Sequence, residues 1–304
     1  MIPVGQKSAR ENRMTELTPP ELPAEAQAIL DLATRAETPC GSGLMVWRRW
    51  GEKTCRPGLA PVVLFHGGSG SWTHWLRNIE ALVQSGREVL VPDLPGFGDS
   101  AAPSSGTDAD ALPEPVEQGL AILLAHRACD LVGFSFGGMV AGFIAAQFPA
   151  RARRLVLVGA PGLGIAPETP VRLRAWRHLP DPAQRDAVHR GNLAALMLYR
   201  PQAITELALR LHVVNVLRDR MQGRSLSRTD VLARALVQVV CRVDAIYGSE
   251  DALYRGRMAL LEPALRQAKN FGSLRLVEAA GHWVQFEQPD AFDKALLAVL
   301  DQDL

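Results

Sequence analysis

Between residues 61 and 158, short apolar runs alternate with stretches long enough to be helices. Residues 61–65 (PVVLF) stop at His66-Gly67-Gly68, and residues 88–91 stop at Pro92. Residues 129–134 (CDLVGF) stop at a glycine-flanked serine, and residues 154–158 (RLVLV) stop at Gly159. The intervening segments 72–85, 116–126 and 136–148 repeat their apolar positions with helical spacing. Strands separated by whole helices cannot pair as tight hairpins, so they imply crossover connections and a parallel sheet. Continuous apolar character implies that helices cover both faces of that sheet. The expected class is therefore α/β, with a mostly parallel central sheet and helices on both faces. Such a sheet presents its functional loops at the carboxyl ends of its strands.

The flanks add detail. Residues 23–36 predict a short helix and residues 43–50 (GLMVWRRW) a first strand. The alternation lapses between about 164 and 237, a stretch rich in Arg, Leu and Ala that includes VRLRAWRHL, NLAALMLYR and AITELALRLHVVNVLRDRM. These segments predict helices and no strand. Strand-like runs resume at 239–247 and 273–277, and a last helix is expected over 290–300. The organisation read from this pattern is an N-terminal leader and short helix (1–36), one core built from 37–163 and 238–304, and a helical insertion at 164–237. The leader is polar and proline-bearing, without the apolar stretch of a secretory signal, and Met14 is an alternative start.

The chain has 304 residues, of which 47% are hydrophobic, enough for one large core carrying an insertion. A formal net charge of +1 gives no electrostatic reason to expect nucleic acid or an anionic membrane as partner. No run is long and apolar enough to span a bilayer. Cys40, Cys55, Cys129 and Cys241 form neither a CxxC pair nor a metal-ligand pattern. The expectation is a cytoplasmic protein acting on a small molecule, with no metal or organic cofactor; the sequence does not specify an oligomeric state.

Gly133-Phe134-Ser135-Phe136-Gly137 matches G-x-S-x-G. The pentapeptide is weak alone, but an apolar strand leads into it and an apolar helix leads out. That is the strand–turn–helix setting of a nucleophile elbow, in which glycines relieve crowding around the serine. The plain alternative is a glycine-lined turn with a capping serine. A serine hydroxyl needs a base, and the base needs an orienting carboxylate. His282, in Ala280-Gly281-His282-Trp283, follows the last expected strand. Asp251 ends the run Ile246-Tyr247-Gly248-Ser249-Glu250-Asp251, with Glu250 as the second choice. The loop after the strand at 154–158 holds no carboxylate, which favours Asp251. For the oxyanion of a tetrahedral intermediate, the Phe136 amide is one expected donor and Gly68 the other, with Ser69 a further candidate. His66 reads as a residue that braces its loop, and Asp93 and Asp99 as residues that hold turns. Ser69 and Trp283 are candidate substrate contacts; a packed aromatic is the equal reading for Trp283. In the insertion, Arg172, Arg174, Trp176, Arg177 and Arg218 are placed to meet an acidic or aromatic substrate, against the commoner reading of a solvated face.

HGGSGSWTHW, VPDLPGFGDS, GFSFGGM, IYGSEDALY and AGHWVQFEQPDAF, in that order, resemble the α/β-hydrolase superfamily from about residue 61 to the C-terminus. The resemblance implies a parallel-sheet core with a helical cap after the sixth strand, Ser135 as nucleophile, Asp251 as acid and His282 as base. The serine sets the chain apart from haloalkane dehalogenases and epoxide hydrolases, which use aspartate there. GHWVQFE resembles the meta-cleavage-product hydrolases, which cut carbon–carbon bonds. Those enzymes typically carry Asn-Ser-Met-Gly-Gly at the elbow, where this chain has Phe134-Ser135-Phe136-Gly137-Gly138. The expected function is hydrolysis of a carboxylic ester or related acyl substrate through an acyl-enzyme. The alternatives are a C–C bond hydrolase, a cofactor-free lyase or perhydrolase, and a ligand receptor on a hydrolase scaffold.

Overall fold

The computed structural model describes residues 18–221 and 223–302. The leader through residue 13, and the alternative start at Met14, lie outside the described residues. Eight strands form one sheet: β1 (Thr34–Cys40), β2 (Gly43–Trp50), β3 (Val62–Phe65), β4 (Val89–Pro92), β5 (Cys129–Phe134), β6 (Ala152–Val158), β7 (Arg242–Gly248) and β8 (Phe271–Val277). Their spatial order is β1-β2-β4-β3-β5-β6-β7-β8. The β1–β2 and β2–β4 pairings are antiparallel and all the others parallel.

The helices are α1 (Ala24–Asp31), α2 (Ile79–Gln84), α3 (Pro113–Leu124), α4 (Phe136–Gln147), α5 (Pro182–Asn192), α6 (Glu206–Leu217), α7 (Val231–Leu236), α8 (Leu261–Leu265), α9 (Val284–Glu287) and α10 (Pro289–Leu300). They cover both faces of the sheet, and two apolar clusters result. One joins Phe65, Leu131 and Leu157 to α3, α4 and α7; the other joins Leu64, Val132 and Val156 to α2 and α10. Every residue of β3, β4 and β5 is buried, which is why these strands read as unbroken apolar runs.

Three expectations change. The helix expected over 23–36 ends at Asp31, and Thr34–Cys40 is a strand that pairs with β2 through the turn at Gly41, where φ is +54°. This strand has one buried face only, and Arg35, Glu37 and Pro39 point outward. The helix expected over 72–85 is a single 3-10 turn, Trp72–Trp75, followed by the short α2. Residues 171–176, expected to be helical, have no regular structure. Prolines bracket that stretch and most of its side chains are exposed, so no packing holds a helix there. Between β6 and β7, the described residues hold α5, α6, α7 and shorter helical turns, but no strand.

The chain passes from β3 to β4 on one side, then returns to place β5 on the other side of β3. This reversal opens a crevice at the carboxyl ends of β3 and β5, where ligands bind in open α/β sheets.

Candidate active site

Ser135 stands at the carboxyl end of β5. From 129 to 145 it is the single residue that is not buried. Its backbone has φ +50° and ψ −117°, a left-handed conformation that non-glycine residues rarely adopt. The glycines around it are needed for close approach. A Cβ on Gly133 would lie 2.3 Å from the Gly137 carbonyl oxygen, and one on Gly137 would lie 2.5 Å from those of Phe65 and His66. The Ser135 amide is tied to the Val158 carbonyl at 2.8 Å, which locks the turn to β6.

His282 lies between β8 and α9, and Asp251 just after β7. His282 Nε2 is 2.9 Å from Ser135 Oγ, and His282 Nδ1 is 2.8 Å from Asp251 Oδ2. Both His282 and Asp251 are buried. A carboxylate only accepts, so Nδ1 carries the imidazole proton and Nε2 presents its lone pair to the serine hydroxyl. Asp251 Oδ1 accepts the Leu253 amide at 2.9 Å, which fixes the carboxylate plane. Of the two acids at this strand end, Asp251 and not Glu250 meets the histidine. Gly159, in the loop without a carboxylate, lies against this pair.

The loop after β3 closes over the elbow: a Cβ on Gly67 would lie 3.2 Å from Ser135 Cβ. Two buried histidines hold it. His66 Nε2 accepts the Leu94 amide at 2.8 Å, so Nδ1–H donates to the Gly67 carbonyl, also at 2.8 Å. His74 Nδ1 accepts the Gly67 amide at 3.1 Å. Burial lowers the pKa of His66 and lowers that of His74 well below the ordinary histidine value, so both work as neutral rings. The peptide unit is planar and trans, so pinning the Gly67 carbonyl fixes the direction of the Gly68 N–H on the opposite edge. The positive φ in this loop falls on Ser69 (+48°) rather than on a glycine.

Asp93 holds its turn as expected, whereas the Asp99 carboxylate pairs with arginines, Arg48 and Arg218 among them, rather than with turn amides. Asp93 accepts the Trp72 and Asp99 amides, each at 2.9 Å, and pairs with the buried Arg48 at 2.9 Å. Trp283 is buried, donates its ring N–H to the His74 carbonyl at 2.9 Å and stacks on Phe286. These contacts are those of a packed aromatic. Arg172, Arg174 and Arg177 are exposed, Trp176 packs against His189, and Arg218 pairs with Asp99.

Three residues at the site have no role assigned from the sequence, although Glu287 falls within GHWVQFE. The buried Glu287 accepts the Gly281 amide at 2.8 Å, the Tyr199 amide at 3.0 Å and the Arg200 amide at 2.6 Å, and so ties the His282 loop to the segment between α5 and α6. Asp219 and Arg224, between α6 and α7, reach Ser69; nothing local in their sequence marks them.

A buried Asp–His pair directed at a serine on a strained turn, at the switch point of a parallel sheet, defines a class of fold and site. The alpha/beta hydrolase family model matches residues 62–295, and the chain belongs to that family. It is similar to 2-hydroxy-6-oxo-6-phenylhexa-2,4-dienoate hydrolase of Burkholderia cepacia, at 27% identity over 79% of this chain and 87% of the relative. It is also similar to a 2-hydroxy-6-oxononadienedioate/2-hydroxy-6-oxononatrienedioate hydrolase of Pseudomonas putida, at 26% identity over 81% and 90%. Among solved structures, a Bacillus subtilis carboxylesterase superposes with a TM-score of 0.71 at 18% identity, covering 92% of this chain and 97% of that one. A meta-cleavage product hydrolase from Pseudomonas fluorescens superposes with a TM-score of 0.68 at 22% identity, covering 88% and 98%. These likenesses show the α/β-hydrolase fold, and the relatives are hydrolases, as this chain is. Among the described residues, no helix is long and apolar enough to cross a membrane.

Proposed function

We propose that the protein is a serine hydrolase that cleaves a small carbonyl substrate through an acyl-enzyme on Ser135. The observation that carries this reading is the continuous chain from Asp251 Oδ2 through His282 to Ser135 Oγ, with links of 2.8 and 2.9 Å. His282 accepts the hydroxyl proton as Oγ bonds to the substrate carbonyl carbon. Asp251 keeps the imidazole in the working tautomer and stabilises its charged form. The Gly68 and Phe136 amides receive the oxyanion. The tetrahedral species collapses as the bond to the leaving group breaks and His282 passes it the proton. Water, deprotonated by His282, then attacks the acyl-enzyme, releases the acid and restores the serine. Residues 164–237 form the cap over this site and set its specificity. The four cysteines are free, which suits a reducing compartment, and on that ground we place the enzyme in the cytoplasm.

The scissile bond has two readings. The geometry supports hydrolysis of an ester or related acyl compound. The names of the relatives favour the second: a 2-hydroxy-6-oxo-dienoate contains no ester, so its hydrolysis at the ketone breaks a carbon–carbon bond. Both reactions use the same acyl-serine. A panel of p-nitrophenyl esters of graded acyl length, run beside a yellow ring-fission dienoate, separates them. Turnover of esters alone supports the first reading and preference for the dienoate the second. Turnover of either substrate that survives intact in Ser135→Ala would overturn both.

A further inference from the structure

The loop that carries Gly68 is held from two sides, and the second hold comes from far along the chain. On its N-terminal side, His66 and His74 fix the Gly67 peptide, as described above. On its C-terminal side, Ser69 Oγ donates to Asp219 Oδ2 at 2.5 Å, a contact that spans 150 residues of sequence. Arg224 closes the cluster. Its Nη1 donates to Asp219 Oδ1 at 3.0 Å, and its Nη2 donates to Asp219 Oδ2 at 2.8 Å and to Ser69 Oγ at 3.2 Å. The guanidinium lies over the rings of Phe97 and Phe136, 5.1 and 5.6 Å from their centroids. A Cβ on Gly68 would lie 3.7 Å from both Arg224 Nη2 and Phe136 Cβ. The cluster therefore adjoins Gly68 and Phe136, the two residues whose amides are assigned to the oxyanion.

This arrangement does not make an anion site of Arg224, because Asp219 already occupies the fork of its guanidinium. Its charge is balanced locally, and its role is to hold Asp219 in place. The Met221 amide braces the same carboxylate at 2.9 Å. Ser69 stands at φ +48°, a conformation that costs a non-glycine residue energy unless its surroundings fix it. The hydrogen bond from Ser69 to a charged acceptor provides that fixing.

We propose that Asp219, braced by Arg224, is a positioning residue: through Ser69 it holds the Gly68 amide in its oxyanion-binding direction. Seating the segment between α6 and α7 on the core thereby completes the oxyanion hole. The proposal rests on the Ser135 reading above.

The test compares wild type with Ser69→Ala, which leaves the Asp219–Arg224 pair intact, and with Asp219→Asn, which leaves Ser69 in place. Three quantities are measured for each: the rate of fluorophosphonate capture at Ser135, the split between kcat and KM on a p-nitrophenyl ester, and the affinity for the product acid. Loss of one oxyanion donor costs about 100- to 1000-fold in kcat, and a misdirected one is expected to cost about 10- to 100-fold. Both variants should lose that factor in capture rate and kcat, with KM and product affinity within about threefold of wild type. Equal losses in KM and product affinity with kcat retained would mean that the cluster only packs the cap, and would overturn the proposal. So would a loss in Ser69→Ala alone, which would make the hydroxyl a direct contact. Should Asp219→Asn not fold, Ser69→Ala with unchanged kcat still refutes it. Failure of wild type to react with the fluorophosphonate would instead sink the Ser135 reading.

Discussion

Replacing Gly159 with alanine would place a methyl group against the pair that sets the proposed base. A Cβ at this position lies 3.2 Å from Asp251 Oδ2 and 3.2 Å from His282 Nδ1, closer than ordinary van der Waals contact. Asp251 and His282 are buried, so neither can move aside into solvent, and each must give by a few tenths of an ångström. A misplacement of 1 Å costs a catalytic arrangement about 100-fold, so a shift of this size is expected to lower kcat about 10-fold. Gly159 also has φ +54°, where a side chain costs roughly 1–2 kcal/mol. The assay is ester turnover and thermal unfolding of Gly159→Ala beside Gly58→Ala. Gly58 has φ +89° and nothing within 4 Å of an added Cβ. Gly58→Ala therefore carries backbone strain without the collision. Both variants should melt lower, and only Gly159→Ala should lose about 10-fold in kcat. If the two variants keep equal kcat, the geometry of the Asp251–His282 pair does not limit turnover, and the reasoning fails.

Other outcomes follow from the same structure. Glu287→Gln leaves one of three buried backbone amides without its acceptor, at a cost of about 1–3 kcal/mol; calorimetry should show a lower Tm, and single-turnover kinetics a slower step through His282. Burial raises the pKa of Asp293 to about 6, only partly relieved by its hydrogen bond from Asn78. With the folded value raised, the native state holds the extra proton, so stability falls as pH rises from about 4 through 6. Asp293→Asn should remove that dependence and raise stability at pH 7.5 by about 1 kcal/mol, discounted for partial exposure; a denaturant midpoint at pH 7.5 no higher than that of wild type would refute it. His66, His74 and His212 are lowered by burial, His212 to about 3. With folded values depressed, the unfolded chain takes up protons first, so stability is lost as pH falls below about 6.5. His212 costs roughly 1–2 kcal/mol of stability between pH 6.5 and 5, and replacing it with glutamine should flatten the acid limb of a denaturation series.

The core was legible where local sequence and tertiary role agree. Residues 129–134 are buried on both faces, and the elbow glycines are dictated by contacts within a few residues of Ser135. The expected strand and helix therefore fall within a residue of their observed limits. Asp251 was legible because a strand end points its side chain at the neighbouring loop. The β1 strand was not, because Thr34–Cys40 has one buried face only and acquires its conformation by pairing with β2. The segment at 171–176 has helical spacing but no surface to pack against. Asp219, Arg224 and Glu287 reach partners in distant segments, and no local pattern records a contact such as that of Asp219 with Ser69, 150 residues away. Trp283 adjoins the proposed base in sequence, yet its side chain turns inward to His74 and Phe286.

The central claim is that Ser135 forms the covalent bond. Peptide mapping by mass spectrometry, after reaction of the full chain with a fluorophosphonate, tests it directly. A single adduct on the peptide carrying Ser135, absent from Ser135→Ala and slowed in His282→Ala, is the predicted result. An unlabelled chain, or an adduct on another residue that survives in Ser135→Ala, would contradict it.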